Sequence, residues 1–276
     1  MDSVNETNQW DLSTAWKRAI LVTLLGLFWT SWFWMQPTRS WPVWGDAYRA
    51  YDEWMRDWFN LSARYWRWVV KSYLFVGIPI LILWFCGLPP RALGLGRMAQ
   101  NGWRIVALSF VIALPFLVWL GLRPGMHRYY AHIFDVEGWH ALVANALVIA
   151  VEHAMIEGVI LVLALPPGVF RDLDDPPRRG RLAFLGLGFP VGGQRTFYDW
   201  LGVPKHVFPA LIGQALVFGA VHWGKDFGEF VTAFPGGFGL GLLTFRIRSV
   251  WPSVLLHLGT GSVVLLTIWL SRTTAG

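Results

Sequence analysis

An apolar run carrying three ionisable groups sets the terms for the whole chain. Val148 to Ala164 reads VIAVEHAMIEGVILVLA, with Glu152, His153 and Glu157 among aliphatic residues. Together with the apolar residues Ala141 to Leu147 before it, the run is long enough to cross a bilayer as a helix. A charged side chain at that depth costs about 3 kcal/mol on insertion scales, so it is seldom there without a task. On a helix His153 and Glu157 are four residues apart and share a face. Glu152 points about 100° away from His153, at 3.6 residues per turn. Two later apolar segments each carry one imidazole, His222 and His257. The expectation is that these groups meet between helices as a polar site inside the membrane.

Composition agrees. Hydrophobic residues make up 55% of the chain and charged residues only 14%, about half the share of a soluble protein. The expected class is an all-α integral membrane protein: one polytopic bundle of about seven transmembrane helices plus an interfacial amphipathic helix. The net charge of +6 is read as topology-setting Lys and Arg beside the spans rather than a nucleic-acid surface. The single Cys86 excludes an intrachain disulfide. Met1 to Thr14 carries acids and lacks the positive start of a secretory signal, so the first span is expected to stay as an anchor.

The expected spans are Lys17–Met35, Val69–Phe85, Ile105–Leu120, His140–Leu165, Val207–Trp223, Phe230–Phe245 and Val250–Leu270. Pro79 and Pro115 fall inside two of them, which membrane helices tolerate. Between Pro37 and Trp68, aromatics recur at helical spacing among charged residues, the pattern of a helix lying in the interface. Gly87 to Arg104 is a basic loop. Gly121 to Trp139 is a mixed loop whose His127 and His132 are read as solvated or interfacial, and His140 as the wet end of the next helix. Phe170 to Lys205 is a polar connection. Its Asp172, Asp174 and Asp175 lack the ligand spacing of a calcium loop, and its apolar stretch Leu182 to Val191 is too short to cross. Gly236, Gly237, Gly239 and Gly241 are expected to let a neighbouring helix approach closely. Outside the long loop after the first span, most Lys and Arg fall on the side of the N-terminus. That places the N-terminus in the cytoplasm, with the chain in a plasma (inner) membrane.

Glu152 is the candidate general base, because a carboxylate in a low-dielectric site holds a proton more readily and can take one from water. His222 would hold the same water, and His257 would donate to a developing oxyanion. Together they would form a water-activating site for amide hydrolysis, with His153, Glu157 and Phe218 in support. A single His in a membrane helix is accounted for equally well by a bond to a neighbouring helix. Five such groups on three helices are not.

The order of motifs resembles the CPBP family of membrane CAAX endopeptidases and bacteriocin-processing proteins. Glu152-His153-Ala154-Met155-Ile156-Glu157-Gly158 stands where that family has Glu-Glu-x-x-x-Arg. Phe218-Gly219-Ala220-Val221-His222 matches its Phe-x-x-x-His in full, and His257-Leu258-Gly259-Thr260-Gly261 keeps the His of His-x-x-x-Asn. Arg91 to Gly96 and Arg248 to Ser253 are similar to the family's lead-in segments. The resemblance implies residues 91–276 as a catalytic helical core, with residues 1–90 as N-terminal membrane segments. It implies Glu152 and His222 as water activators, His257 at the oxyanion site, no cofactor, and a membrane-anchored peptide or protein as substrate. Three departures stand out: His153 for the second Glu, Glu157 for the Arg and Gly261 for the Asn. The His153/Glu157 pair reads as the family's acid/base pair reversed on one face. Gly261 leaves the oxyanion site to Thr260, Ser262 or backbone.

Three other readings use the same residues. A non-catalytic relative would act as an immunity, chaperone or scaffold protein. A zinc hydrolase would draw on His153, His222 and His257 with Glu152 or Glu157. A transporter would use the buried groups as a proton path, although the sequence shows no internal repeat.

Overall fold

The structure is a computed structural model that describes residues 12–33, 64–98, 102–132, 138–166, 203–223 and 225–275, with positions 50, 53, 54, 57 and 201. The described residues are helical and form no strand. Among the described residues nine α-helices are bounded, in order: α1 Leu12–Phe33, α2 Arg64–Phe85, α3 Gly102–Gly121, α4 Pro124–His132, α5 Gly138–His153, α6 Leu161–Ala164, α7 Phe208–Val221, α8 Phe227–Ile247 and α9 Trp251–Ala275. A π-helical segment, Ala154–Ile160, runs without a break between α5 and α6. The three pieces make one central helix. Short 3₁₀ turns, Pro90–Leu93 and Lys205–Val207, precede α3 and α7.

Each of the seven expected spans is helical where it is described, but not all combine crossing length with sufficient hydropathy. Among the described residues four helices are long and apolar enough to cross a membrane: Gly102–Gly121, Val143–Ala164, Phe227–Ile247 and Trp251–Ser271. Ser72–Phe85 and Lys205–Val221 are shorter apolar helices. Pro79 and Pro115 sit inside α2 and α3 as expected, and Pro235 inside α8. The expected loop between Gly121 and Trp139 instead holds α4. Pro124 starts it, at the one helix position where a missing N–H costs nothing. The interfacial helix expected over 37–68 and the apolar stretch 182–191 lie outside the described residues, apart from the helical positions 50, 53, 54 and 57 and the start of α2.

The central helix is the hub. From Val151 to Leu161 every residue is buried. Val151, Met155, Ile156, Val159 and Ile160 pack with Phe75 and Val76 of α2, Leu93, and Val217, Phe218 and Val221 of α7 in one apolar cluster. Apolar side chains such as Leu24, Leu25, Ile82, Ile112 and Leu266 are exposed on the outside of the bundle. Gly158 is required where it stands, because a Cβ there would lie 2.9 Å from the Leu93 carbonyl oxygen. Gly94 then turns the chain at φ +75°, and its carbonyl accepts from the Val250 N–H at 2.9 Å. The 90–96 segment thus ties the central helix to the start of α9.

The helix ends sort into two sets. At one end Arg18 Nε donates to the Leu163 carbonyl at 2.7 Å, taking up an unpaired acceptor at the C-terminus of the central helix. Gly94 and Val250 meet at this end, and Arg246 donates to the Leu201 carbonyl. At the other end Tyr130 of α4 donates to Glu229 of α8 at 2.9 Å, and Ser271 of α9 pairs with His127 of α4 at 3.3 Å. Antiparallel passage of α3, the central helix, α7, α8 and α9 satisfies every one of these ties.

Candidate active site

The site lies where the central helix changes pitch. Glu152 and His153 end α5, and the wider π turn starts at Ala154. Its i→i+5 pattern is seen in the Leu161 N–H bond to the Ile156 carbonyl. Such π segments are rare and frequently mark functional positions, since the extra residue per turn redirects side chains.

His153 is fully buried and bonded at both ring nitrogens. Its Nδ1 lies 2.7 Å from Glu157 Oε2, and its Nε2 lies 2.8 Å from His257 Nδ1. The expected pairing of His153 and Glu157 on one face is therefore present. Glu157 Oε1 accepts from Gln214 Nε2 at 3.2 Å, and both side chains are fully buried. A chain of four side chains thus runs Gln214, Glu157, His153, His257, from α7 through the central helix to α9.

Phe218 forms the floor. Its ring centroid is 4.7 Å from that of His222, 5.7 Å from His257 and 5.8 Å from His153. His222 and His257 face one another at 6.1 Å, with ring planes 27° apart. His222 Nδ1 lies 2.8 Å from the Phe218 carbonyl oxygen. Gln214, Phe218 and His222 follow at four-residue intervals, so α7 contributes one stripe to the site. The glycines of α8 allow this closeness, though only two of the expected four matter. A Cβ on Gly237 would meet Phe218 at 2.8 Å, and one on Gly241 would collide with the Gln214 amide. Gly236 and Gly239 face open space.

Glu152 is buried at 6% exposure, and its Oε1 accepts no hydrogen bond from the described residues. Its electrostatic neighbours are Lys225, His153, Glu157 and Glu229. Two of these belong to a cluster that sequence reasoning missed. Lys225 Nζ is 2.8 Å from Glu229 Oε1, Tyr130 holds Oε2, and His222 Nε2 stands 3.9 Å from Oε1. Gln214 was within reach of the sequence, as a buried amide two helical steps before His222. Tyr130 was not, because its contact with Glu229 spans 99 residues.

The third motif is thinner than hoped. Thr260 Oγ1 donates to the His257 carbonyl at 2.9 Å and Ser262 Oγ to the Leu258 carbonyl at 2.7 Å. Both hydroxyls are turned to their own helix, and a Cβ on Gly261 would meet nothing within 4 Å. As for zinc, no group of three or more His, Cys, Asp or Glu among the described residues is arranged to hold a metal ion. The side chains of His132 and His140 lie outside the described residues.

Residues 182–263 match a family model described as type II CAAX prenyl endopeptidase Rce1-like. The matched stretch contains His222 and His257 and begins after Glu152 and His153. No curated protein and no solved structure matches the chain.

Proposed function

Taking the chain as a member of the CAAX-type CPBP family, which the match over residues 182–263 supports, we propose that it is an intramembrane glutamic-type endopeptidase. The observation that carries this reading is the gathering of His153, His222 and His257 around Phe218, with buried Glu152 next to His153 on the central helix and its Oε1 accepting no hydrogen bond from the described residues. A buried acceptor left without a donor costs about 1–3 kcal/mol. A water or a substrate N–H at Glu152 offsets that cost. In this reading Glu152 takes a proton from water, His222 orients the water, and the resulting hydroxide attacks the scissile carbonyl. His257 serves the developing oxyanion and the leaving amine.

The substrate is a membrane-anchored peptide, lipidated or carrying a C-terminal tail, as the family model's name suggests. The catalytic core is residues 91–276, supported by 1–90. Seven crossings with a cytoplasmic N-terminus in the plasma (inner) membrane complete the reading.

The test uses a farnesylated peptide with a three-residue tail after the modified cysteine, in detergent or vesicles. Wild type releases the tail. Glu152→Gln, inserted and eluting as a single species, releases none. Full activity in that variant rejects the assignment.

One observation favours a second reading, a non-catalytic binding protein. Gly261 supplies no donor, and the hydroxyls of Thr260 and Ser262 are engaged elsewhere. A cellular phenotype that survives joint replacement of Glu152, His222 and His257 selects that reading.

A further inference from the structure

The four-member chain of buried side chains does more than brace three helices. Its end is His257, and its far anchor is a carboxylate. Glu157 Oε2 is only an acceptor when ionised, so His153 Nδ1 carries a proton and donates to it. His153 Nε2 and His257 Nδ1 then share one proton across 2.8 Å. How many protons the two rings hold, and where the shared one sits, decides what His257 offers. If it sits on His257 Nδ1 and that ring is neutral, His257 Nε2 is a lone pair. If the pair holds one proton more, the shared proton sits on His153, that ring is an imidazolium bonded to Glu157, and neutral His257 carries the additional proton on Nε2 as a donor. Coulomb attraction across the 2.7 Å His153–Glu157 contact favours the second arrangement, with Gln214 Nε2 steadying the carboxylate from behind. The other charged or titratable groups around the pair are Glu152 on the same helix, His222 and Lys225 at the end of α7, and Glu229 on α8.

We infer that Glu157 and His153 form a proton relay that makes His257 the acid for the leaving amine. This rests on the proposed peptidase reading and adds to it two positioning residues and one proton path. The step balances as follows. Water loses a proton to the Glu152 carboxylate, and its oxygen bonds to the scissile carbon. As the C–N bond breaks, His257 Nε2–H passes to the amine nitrogen, and His257 Nδ1 takes the Nε2 proton of His153. The products are a carboxylic acid and a neutral amine. The proton held by Glu152 returns to the relay to complete the cycle. Glu157 keeps its charge throughout and never touches substrate.

The experiment compares the farnesylated peptide with a counterpart in which an activated ester replaces the scissile amide. An activated ester leaves without a proton and has little use for the relay. Glu157→Gln is expected to lower kcat on the amide by about 10²-fold with KM unchanged, the size of a general-acid contribution. The loss on the ester is expected to be far smaller, and Glu157→Asp to recover part of the amide rate. Glu152→Gln is expected to abolish both, because both need activated water. An equal loss on amide and ester in folded Glu157→Gln, or no loss on either, overturns the relay and leaves the peptidase reading standing. An active Glu152→Gln overturns the glutamic-type reading while the Glu157 comparison still decides the relay. A readout without turnover uses ¹⁵N-histidine-labelled protein in micelles. The relay predicts a scalar coupling across the His153–His257 N···N bond and protons on both nitrogens of His153. In Glu157→Gln the second proton should be gone. A His153 ring with a single proton in the wild type overturns the relay whether or not the peptide is cut.

Discussion

A backbone contact sets the chemistry of His222. The Phe218 carbonyl can only accept, so the nitrogen 2.8 Å from it, Nδ1, carries the proton. Nε2 is then left as a lone pair, with Glu229 Oε1 3.9 Å away. Replacing His222 by Gln keeps bulk and polarity but loses the basic nitrogen. Peptide cleavage should fall by about 10²-fold or more, with the protein still inserted, as a tail-release assay would measure. Gln214 makes a different prediction, because it touches no substrate. Gln214→Leu leaves the buried Glu157 short of a donor, at a cost of about 1–3 kcal/mol. A lowered thermal midpoint in detergent checks it, and an unchanged midpoint would remove Gln214 from the network. At this scale the sequence was legible where a charged or imidazole side chain interrupted an apolar run, as at Glu152, His153, Glu157, His222 and His257. It was not legible where a partner came from a helix distant in sequence, as with Tyr130 of α4. Nor did it separate roles. His153, read as support, makes two short hydrogen bonds at the centre, while Glu152, read as the base, accepts none at Oε1 from the described residues.

Helix packing holds the side chains in register, and glycine decides where. Gly237 and Gly241 are four residues apart on α8 and receive Phe218 and Gln214, themselves four apart on α7. Gly237→Ala drives a methyl into Phe218, the ring that touches His153, His222 and His257, so activity should collapse although no ionisable group has changed. The overpacking costs about 1–3 kcal/mol. Gly239→Ala, which meets open space, should behave as wild type in the same cleavage and melting assays. Equal behaviour of the two variants would show that the α7–α8 contact is not what aligns the site. The glycine-rich pattern of Phe230 to Phe245 was visible in the sequence, but a run of four glycines does not say which two face the neighbour. That depends on helix rotation, which tertiary contacts set. The π segment was also hidden. Nothing in AMIEGVI departs from an α-helical pattern, and the wider pitch arises with Gly158 pressed against the Leu93 carbonyl. The helix α4 was read as loop, although Pro124 marks its start.

On the scale of the molecule, the hydrogen bonds that tie helix ends give the bundle two distinct poles. Arg18 with Leu163 and Gly94 with Val250 mark one; Tyr130 with Glu229 and His127 with Ser271 mark the other. Hydropathy located the helices between the poles, and for four of them length and composition suffice for crossing. The sidedness came only from basic residues in loops, some of them outside the described residues, so it calls for a direct test. Cys86 supplies one. It is the single cysteine of the chain, exposed directly after α2, and it belongs to the Arg18–Leu163 pole through the 90–96 segment. With the N-terminus in the cytoplasm, a membrane-impermeant maleimide should label Cys86 in inside-out vesicles and not in intact cells. Placing the cysteine instead at the exposed Arg128 of α4, in a Cys86→Ser background, should reverse the pattern. The Lys225, Glu229 and Tyr130 cluster shares the pole of α4, so the same experiment fixes which face of the membrane His222 lies towards. Labelling of Cys86 from outside would turn the molecule over and place that face in the cytoplasm. Labelling of both positions from one side would break the antiparallel arrangement on which the meeting of α5, α7 and α9 at the site depends.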